Sequence, residues 1–396
     1  MTLEELREIK EKTDKGLLPK PEDTIYVNNH IHTTYSFSPY NPTAALYMAW
    51  KNGLKTAGIM DHDSVGGAKE FIEAGKIIGM PITCGVECRI DMSKTKINNG
   101  KRINNPDQSA VAYVAMHGIP HQNIDAVNAF FAPYREKRNI RNKKMCEKIT
   151  ELVKPYGLSL DFEKDVLPIS NYALSGSVTE RHILFALTKN ITAIYKTPEE
   201  VLDFLLKKMA LPLSQKVVAQ IAAGRETPDF YEYDILGALK SNMVEKFYID
   251  ATDECPDVDD FINMVHKYGG IAAYAYLGDV GNSVTGDKKA QKFEDDYLDD
   301  VIDVLKEKNF DAITYMPTRN TPEQLERLMG LCEKNGFFQI SGEDINSPRQ
   351  SFRCKALDTG NFDHLIKATY DLIGYEALAS EDIDAAKKKY SFIFNK

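Results

Sequence analysis

Short apolar runs of strand length alternate with longer stretches of helical spacing along most of this chain. Each run predicts a strand, and each stretch with apolar residues three or four apart predicts a helix. The runs are Thr24–Asn29, Thr56–Met60, Ile82–Val86, Ala110–Met116, Lys246–Ile249, Gly270–Tyr276, Ala312–Met316 and Phe337–Ile340. Helices are predicted at Pro42–Gly53, Gly67–Gly79, Val258–Tyr268, Phe293–Lys308 and Pro322–Asn335. Proline near a helix start and glycine past its end bracket the first of these. Residues 1–20 read as an N-terminal helix broken by Pro21. Asp91–Ser109 is polar, and its Asn99-Gly100 pair suggests a hairpin or excursion.

The rhythm stops from about 120 to 244, where helical spacing dominates and breaks are expected at Pro133, Pro155, Pro168 and Pro212. This reads as a helical insert. The resulting map is an N-terminal helix (1–20), a first barrel part (21–119), the insert (120–244), a second barrel part (245–360) and a C-terminal helical tail (361–396) expected to pack outside. Alternating β and α units predict an α/β fold with a parallel sheet. His30, His32, His62, Glu87, His117, Asp250, Asp279 and Asp344 all fall at predicted strand ends. A closed barrel brings such residues around one mouth, whereas an open sheet gathers only some.

Composition narrows the function. Among 396 residues, 43% are hydrophobic and 27% charged, as in ordinary globular proteins, and the net charge of −9 argues against a stable nucleic-acid partner or an anionic membrane. No run reaches membrane-spanning length, the N-terminus lacks a signal-peptide core, and the six cysteines form no C-x-x-C pair. Reduced thiols and a cytoplasmic location are the expectation.

The candidate chemistry lies at the strand ends. On a strand, His30 and His32 project to one face. Alone they read first as two histidines of a polar loop; joined by other histidines and two carboxylates they make a mixed nitrogen and oxygen site. Such a site suits Zn²⁺, Mn²⁺ or Fe²⁺ rather than Ca²⁺ or Mg²⁺. Glu87 or Asp344 can bridge two ions, and the expectation is one or two divalent metals serving hydrolysis.

His30-Ile-His32-Thr with Ser36, Met60-Asp61-His62-Asp63, Gly85-Val86-Glu87, His117 and Ser341-Gly-Glu-Asp344 resemble, in order, the motifs of the PHP (polymerase and histidinol phosphatase) superfamily. The resemblance covers about 24–118 and 245–355. It extends to Arg181-His182-Ile-Leu-Phe-Ala-Leu, which looks like a helix start of the phosphoesterase members. It implies a distorted TIM-like (β/α)7 barrel, one strand fewer than the runs above. It also implies metal ligands: His30, His32, Glu87 and Asp344 for a first ion, Glu87 and His117 for a second, His62 for a third. Three positions depart from the family pattern. Phe37 replaces an acid, Ala275-Tyr276-Leu277 replaces an Ala-His-Pro, and Asn346 replaces a terminal histidine. The third site is therefore expected to be broken, with Asp253, Glu254, Asp279 or Glu343 as substitutes. The implied activity is phosphoester hydrolysis of a small phosphorylated metabolite or nucleotide. Rivals are binding without turnover, and amide or ester cleavage in the same barrel.

Singly, Glu87, Arg181 and His182 are the candidate catalytic groups. Arg349, Tyr276 and Arg102 are candidate substrate contacts. Arg135, Lys137, Arg138, Arg141, Lys143 and Lys144 read as the solvated face of an amphipathic helix. His121, after Pro120, reads as a loop histidine, and His266 and His364 as structural.

Overall fold

The computed structural model describes residues 1–97, 100–280 and 291–394. Asn99, half of the expected Asn99-Gly100 turn, lies outside the described residues. Seven strands form one sheet in chain order: β1 (Val27–Ile31), β2 (Thr56–His62), β3 (Ile82–Asp91), β4 (Val111–His117), β5 (Ile271–Ala275), β6 (Ala312–Tyr315) and β7 (Phe338–Ser341). Just past β7, Ile345 bonds back to β1: the His32 amide donates to its carbonyl at 2.9 Å, and its amide donates to the His30 carbonyl at 3.2 Å. The sheet thus curls into a nearly closed barrel, the expected distorted (β/α)7 form.

Two expectations about the strands are corrected. The eighth segment, Lys246–Ile249, is no strand. Leu236, Leu239, Met243 and Phe247 recur at helical spacing and are buried together, so the helix that carries them runs to Phe247. Asp250 follows that helix end and is exposed. The sheet is also not wholly parallel, because β4 runs antiparallel to both β3 and β5. The carboxyl end of β4 therefore lies at the floor of the barrel, against Ile271 at the start of β5.

Helix α1 (Leu3–Asp14) opens the chain, and α2 (Pro42–Lys51) and α3 (Ala68–Ile78) follow the first two strands. The insert comprises α4 (Ile124–Val153), α5 (Glu180–Ile194), α6 (Pro198–Asp203), α7 (Gln215–Ala222) and α8 (Pro228–Phe247) with short turns between. The barrel resumes with α9 (Val258–Lys267), α10 (Leu298–Glu307) and α11 (Pro322–Asn335), then ends with α12 (Asp363–Ala379) and α13 (Ile383–Lys389). Helix α11 has the predicted limits because both ends are written locally. Thr321 and Gln324 form a capping box, Pro322 opens the first turn, and Gly336 closes it at φ 72°.

Helix α4 runs through Pro133 without the expected break. The missing proline N–H leaves the Ala129 carbonyl without its helical donor, and the rest of the helix carries through. The first half of α4 buries Val127 and Phe131 in the barrel core, while the second half buries Met145 and Ile149 in a separate insert core. One long helix therefore joins two cores.

The tail is not an outer appendage. From α12, Glu376 accepts from Thr83 Oγ1 at 2.6 Å near the start of β3, and Tyr375 donates to the Gly269 carbonyl at 2.8 Å before β5. Both contacts lie at the floor, so α12 closes that end. The insert covers the other.

Candidate metal centre

The centre is built on the inner face of the barrel, beginning with β1. His30 and His32 bring their Nε2 atoms to 3.2 Å from each other. Glu87 reaches them from β3: its Oε2 stands 3.5 Å from His30 Nε2 and 3.7 Å from His32 Nε2. His62, paired with Glu87 across β2 and β3, points Nδ1 at the same oxygen from 3.1 Å. Asp344 closes the ring with Oδ1 3.2 Å from His32 Nε2. Gly342 permits that approach, since a Cβ there would lie 2.6 Å from the His30 Cβ. Three imidazoles and two carboxylates thus converge at separations typical of atoms sharing one small cation.

The electrostatics follow from this crowding. Burial works against a charge on Glu87, yet the imidazoles of His62, His30 and His32 hold its pKa down at about 2. Burial also opposes Asp344, but a hydrogen bond and charge from His32 pull it well below the carboxylate range. Burial disfavours protonated His30, and Glu87 more than offsets that, raising its pKa. Burial pushes His62 down to about 3 despite Glu87, so it is a neutral donor at ordinary pH.

His117 stands one step deeper. Glu87 pairs with Ala115, so His117, two residues on, shares the inner face towards the floor. It is fully buried, and neither ring nitrogen has a hydrogen-bond partner. Burial takes its pKa to about 3. A buried imidazole without partners is costly, and a ligand supplies what is missing.

Support comes from Asp61, which accepts from Ser36 Oγ at 2.6 Å and from both the amide and hydroxyl of Thr33 at 2.7 and 2.6 Å. Ser36 Oγ lies 3.2 Å from His32 Nδ1. This chain orients His32 so that Nε2 faces the cluster. Both residues lie within the motifs quoted above, yet only folding shows that they meet.

The other predicted residues are placed as follows. Arg349 grips Asp234 of α8 with two bonds of 2.6 and 2.7 Å and lies over the Phe230 ring, fastening the insert to the barrel. Tyr276 is buried, and its hydroxyl donates to Asp295 at 2.6 Å. His182 is a cap: its Nδ1 accepts from the Thr179 amide at 3.0 Å, and burial drops its pKa to about 3. These contacts give structural work to three residues expected at substrate or in catalysis. Phe37 turns away from the histidines into the insert core, edge-on to His182 and Phe185. Glu254 is bound by Arg89 and Arg141, and Asp279 by Lys292 and the Phe293 amide, so neither replaces a missing ligand. Glu343 holds Thr318, while Asp253 is exposed. Arg102 is half-buried, within electrostatic reach of Asp107 and Tyr297.

Arg181, at the start of α5, forms no ion pair with any described residue, and its charge is felt at Asp344. Lys240 of α8 likewise has no ion partner among the described residues, and the neighbouring Arg181 charge pulls its pKa to about 8. No motif marks Lys240 in the sequence.

The basic run of α4 is only in part the expected solvated face, which Lys143 and Lys144 form. Arg135, Arg138 and Arg141 are buried. Arg138 pairs with Asp63 beyond β2 and with Glu180, and Arg141 with Glu180 and Glu254 at 2.6 and 2.7 Å. Arg89 of β3 completes the network through Glu254. Helical spacing cannot tell a wet face from one turned onto carboxylates of another element.

No family model matches the sequence, and no curated protein does. Among the described residues, no helix is long and apolar enough to cross a membrane. Two solved structures share the fold. A candidate metal-dependent phosphoesterase from Bifidobacterium adolescentis superposes with a TM-score of 0.53 at 19% identity, covering 85% of this chain and 95% of the other. An amidohydrolase from Chromobacterium violaceum, with bound sulfate and no metal, superposes with a TM-score of 0.52 at 15% identity, covering 81% and 88%. By its fold, this chain is similar to proteins named as metal-dependent and hydrolytic.

Proposed function

We propose that this protein is a metal-dependent phosphoesterase of the PHP type acting on a small phosphorylated metabolite or nucleotide. The observation that carries the reading is the cluster of His30, His32 and Glu87, whose ligand atoms all lie within 4.8 Å of one another, joined by His62 at 3.1 Å from Glu87 and Asp344 at 3.2 Å from His32. The unpartnered His117 below them adds a further nitrogen. This donor set fits one or two Zn²⁺, Mn²⁺ or Fe²⁺ ions. Bound there, such ions supply charge to a phosphoryl group and a water made acidic enough to attack it.

The chain's own residues do the rest. Asp61 and Ser36 hold the His32 ring, so little reorganisation is needed when substrate arrives. Arg181 and Lys240, cations without an ion partner in a chain of net charge −9, bind the substrate's anionic oxygens. Arg102 is a candidate third contact. The insert shields the mouth from water and selects what enters. The two proteins of the same fold, named as a phosphoesterase and an amidohydrolase, support the hydrolase class, and the free cations favour a phosphorylated substrate over an amide.

The test is a panel of phosphomonoesters and of cyclic and bis-phosphorylated nucleotides, with amides as controls, assayed with Mn²⁺ or Zn²⁺. Turnover of one phosphorylated class is expected. Arg181→Ala should raise KM by about tenfold or more, the loss of one charge-assisted bond. Cleavage of amides alone, or ligand binding without turnover at a metal-loaded centre, would sink the proposal.

A further inference from the structure

A second constellation of ligating atoms lies at the floor of the barrel. Cys84 of β3, His121 in the turn after β4 and Glu376 of α12 present a sulfur, a nitrogen and an oxygen that all lie within 4.8 Å of one another. His121 Nε2 is already 3.1 Å from Glu376 Oε1. In a tetrahedral zinc site, bonds of about 2.0–2.3 Å put ligand atoms roughly 3.2–3.6 Å apart. The His–Glu pair is close to that spacing, and the Cys84 thiol, within 4.8 Å of both, needs a side-chain movement on the order of 1 Å.

The charge at this place favours a cation. Glu376 is 1% exposed; its hydrogen-bond donors are the Thr83 hydroxyl, the Cys84 amide and thiol, and His121, which is also the one side chain of ion-pairing type against it among the described residues. No lysine or arginine pairs with it among the described residues. A buried carboxylate is ordinarily paired with a cationic side chain or bound to metal. Cys84 is buried too, whereas the His121 side chain is 38% exposed, giving an ion a way in and leaving a coordination position open to water.

We propose that Cys84, His121 and Glu376 form a zinc-class metal site, distinct from the centre at the mouth, that fastens α12 to β3. Binding releases the thiol proton of Cys84 to solvent, since the thiolate is the ligand. The sulfur donor selects Zn²⁺ over harder ions such as Mn²⁺. The site shares β3 with Glu87, three residues away, but shares no ligand with the mouth.

That separation makes the test clean. The mouth offers only nitrogen and oxygen, and no other cysteine joins a metal-ligating cluster among the described residues. Metal-free, full-length protein is titrated with Co²⁺ and followed by absorption. A thiolate-to-cobalt charge-transfer band in the near ultraviolet is expected, alongside weaker visible bands from the mouth. Cys84→Ser should abolish the ultraviolet band and leave the visible ones. His121→Gln, at a partly exposed position where folding is readily kept, should weaken the Co²⁺ dependence of that band by about tenfold or more. Absence of the band in the parent protein, or its survival in Cys84→Ser, overturns the proposal. If Cys84→Ser fails to fold by circular dichroism, an unchanged band in His121→Gln overturns it equally. The outcome does not bear on the phosphoesterase reading, because the mouth has no thiolate to give the signal.

Discussion

Two buried polar clusters lie a few residues apart on β3, and they are built on opposite principles. At the seam between barrel and insert, Arg89, Arg138 and Arg141 face Asp63, Glu180 and Glu254, three guanidinia against three carboxylates. Charges there match three against three in close contact, which is what a buried ionic network needs to repay its desolvation, although Arg138 Nε has no hydrogen-bond partner among the described residues. At the mouth, imidazoles and carboxylates crowd to 3.1–3.7 Å, and neither ring nitrogen of His117 below has a hydrogen-bond partner among the described residues. The seam is balanced in charge as it stands, whereas the proposed cation would balance the mouth. Burial alone therefore does not mark a functional site. Unspent coordinating capacity does.

Substitutions on the two sides should separate activity from stability. Glu87→Gln combined with Asp344→Asn is expected to cost on the order of 10⁴-fold in hydrolysis, about 5.5 kcal/mol, with loss of bound metal by elemental analysis. Retained metal and activity would place the centre elsewhere. Arg141→Ala is expected to lower the unfolding free energy by about 3 kcal/mol in chemical denaturation, because it takes one of their guanidinium partners from both Glu180 and Glu254 and leaves net negative charge buried, while leaving metal content unchanged. If it removed metal instead, seam and mouth would be one coupled unit.

Phe37→Asp probes a smaller effect. It restores the acid implied by the family resemblance, but the side chain sits in the insert core, edge-on to His182 and Phe185. It should therefore destabilise by about 3 kcal/mol and add no metal equivalent. A gain of one equivalent would show that the loop can turn back to the mouth.

The mildest test is pH. Burial opposes the Glu180 charge, but Arg138, Arg141 and Arg89 hold its pKa well below the ordinary glutamate value. A depressed folded pKa gives stability that is fully present above the unfolded value, about 4.3, and is lost as pH falls through the folded one. The stability advantage of the parent over Glu180→Gln should thus be constant above about pH 5 and shrink below pH 4. A difference that grew on acidification would contradict the assignment of Glu180 as an ionised partner of the seam.

Much of the architecture was legible because it is written locally. The alternation of apolar runs and helical spacing located seven strands, and caps such as Thr321 with Gln324 and Gly336 set helix limits within the sequence itself. His30, His32, His62, Glu87 and Asp344 were legible as candidate ligands because each ends a strand or follows one closely. What periodicity misread, it misread for physical reasons. Phe247 belongs to a helical stripe although its neighbours resemble a strand. Pro133 sits within a helix whose two halves are each buried in a core, so packing outweighs the one missing bond.

Other features had no local signature. The direction of β4, which moves His117 from the expected mouth to a deeper step, depends on which strands it pairs with. The burial of Arg138 and Arg141 depends on carboxylates 39 to 113 positions away in the chain. The meeting of Cys84, His121 and Glu376 depends on α12 folding under the barrel floor. The sequence by itself determined which residues can ligate and where the chain turns, because propensity and periodicity act over a few residues. The tertiary structure decided which of those residues have partners and which are left for a ligand, because pairing is a property of space.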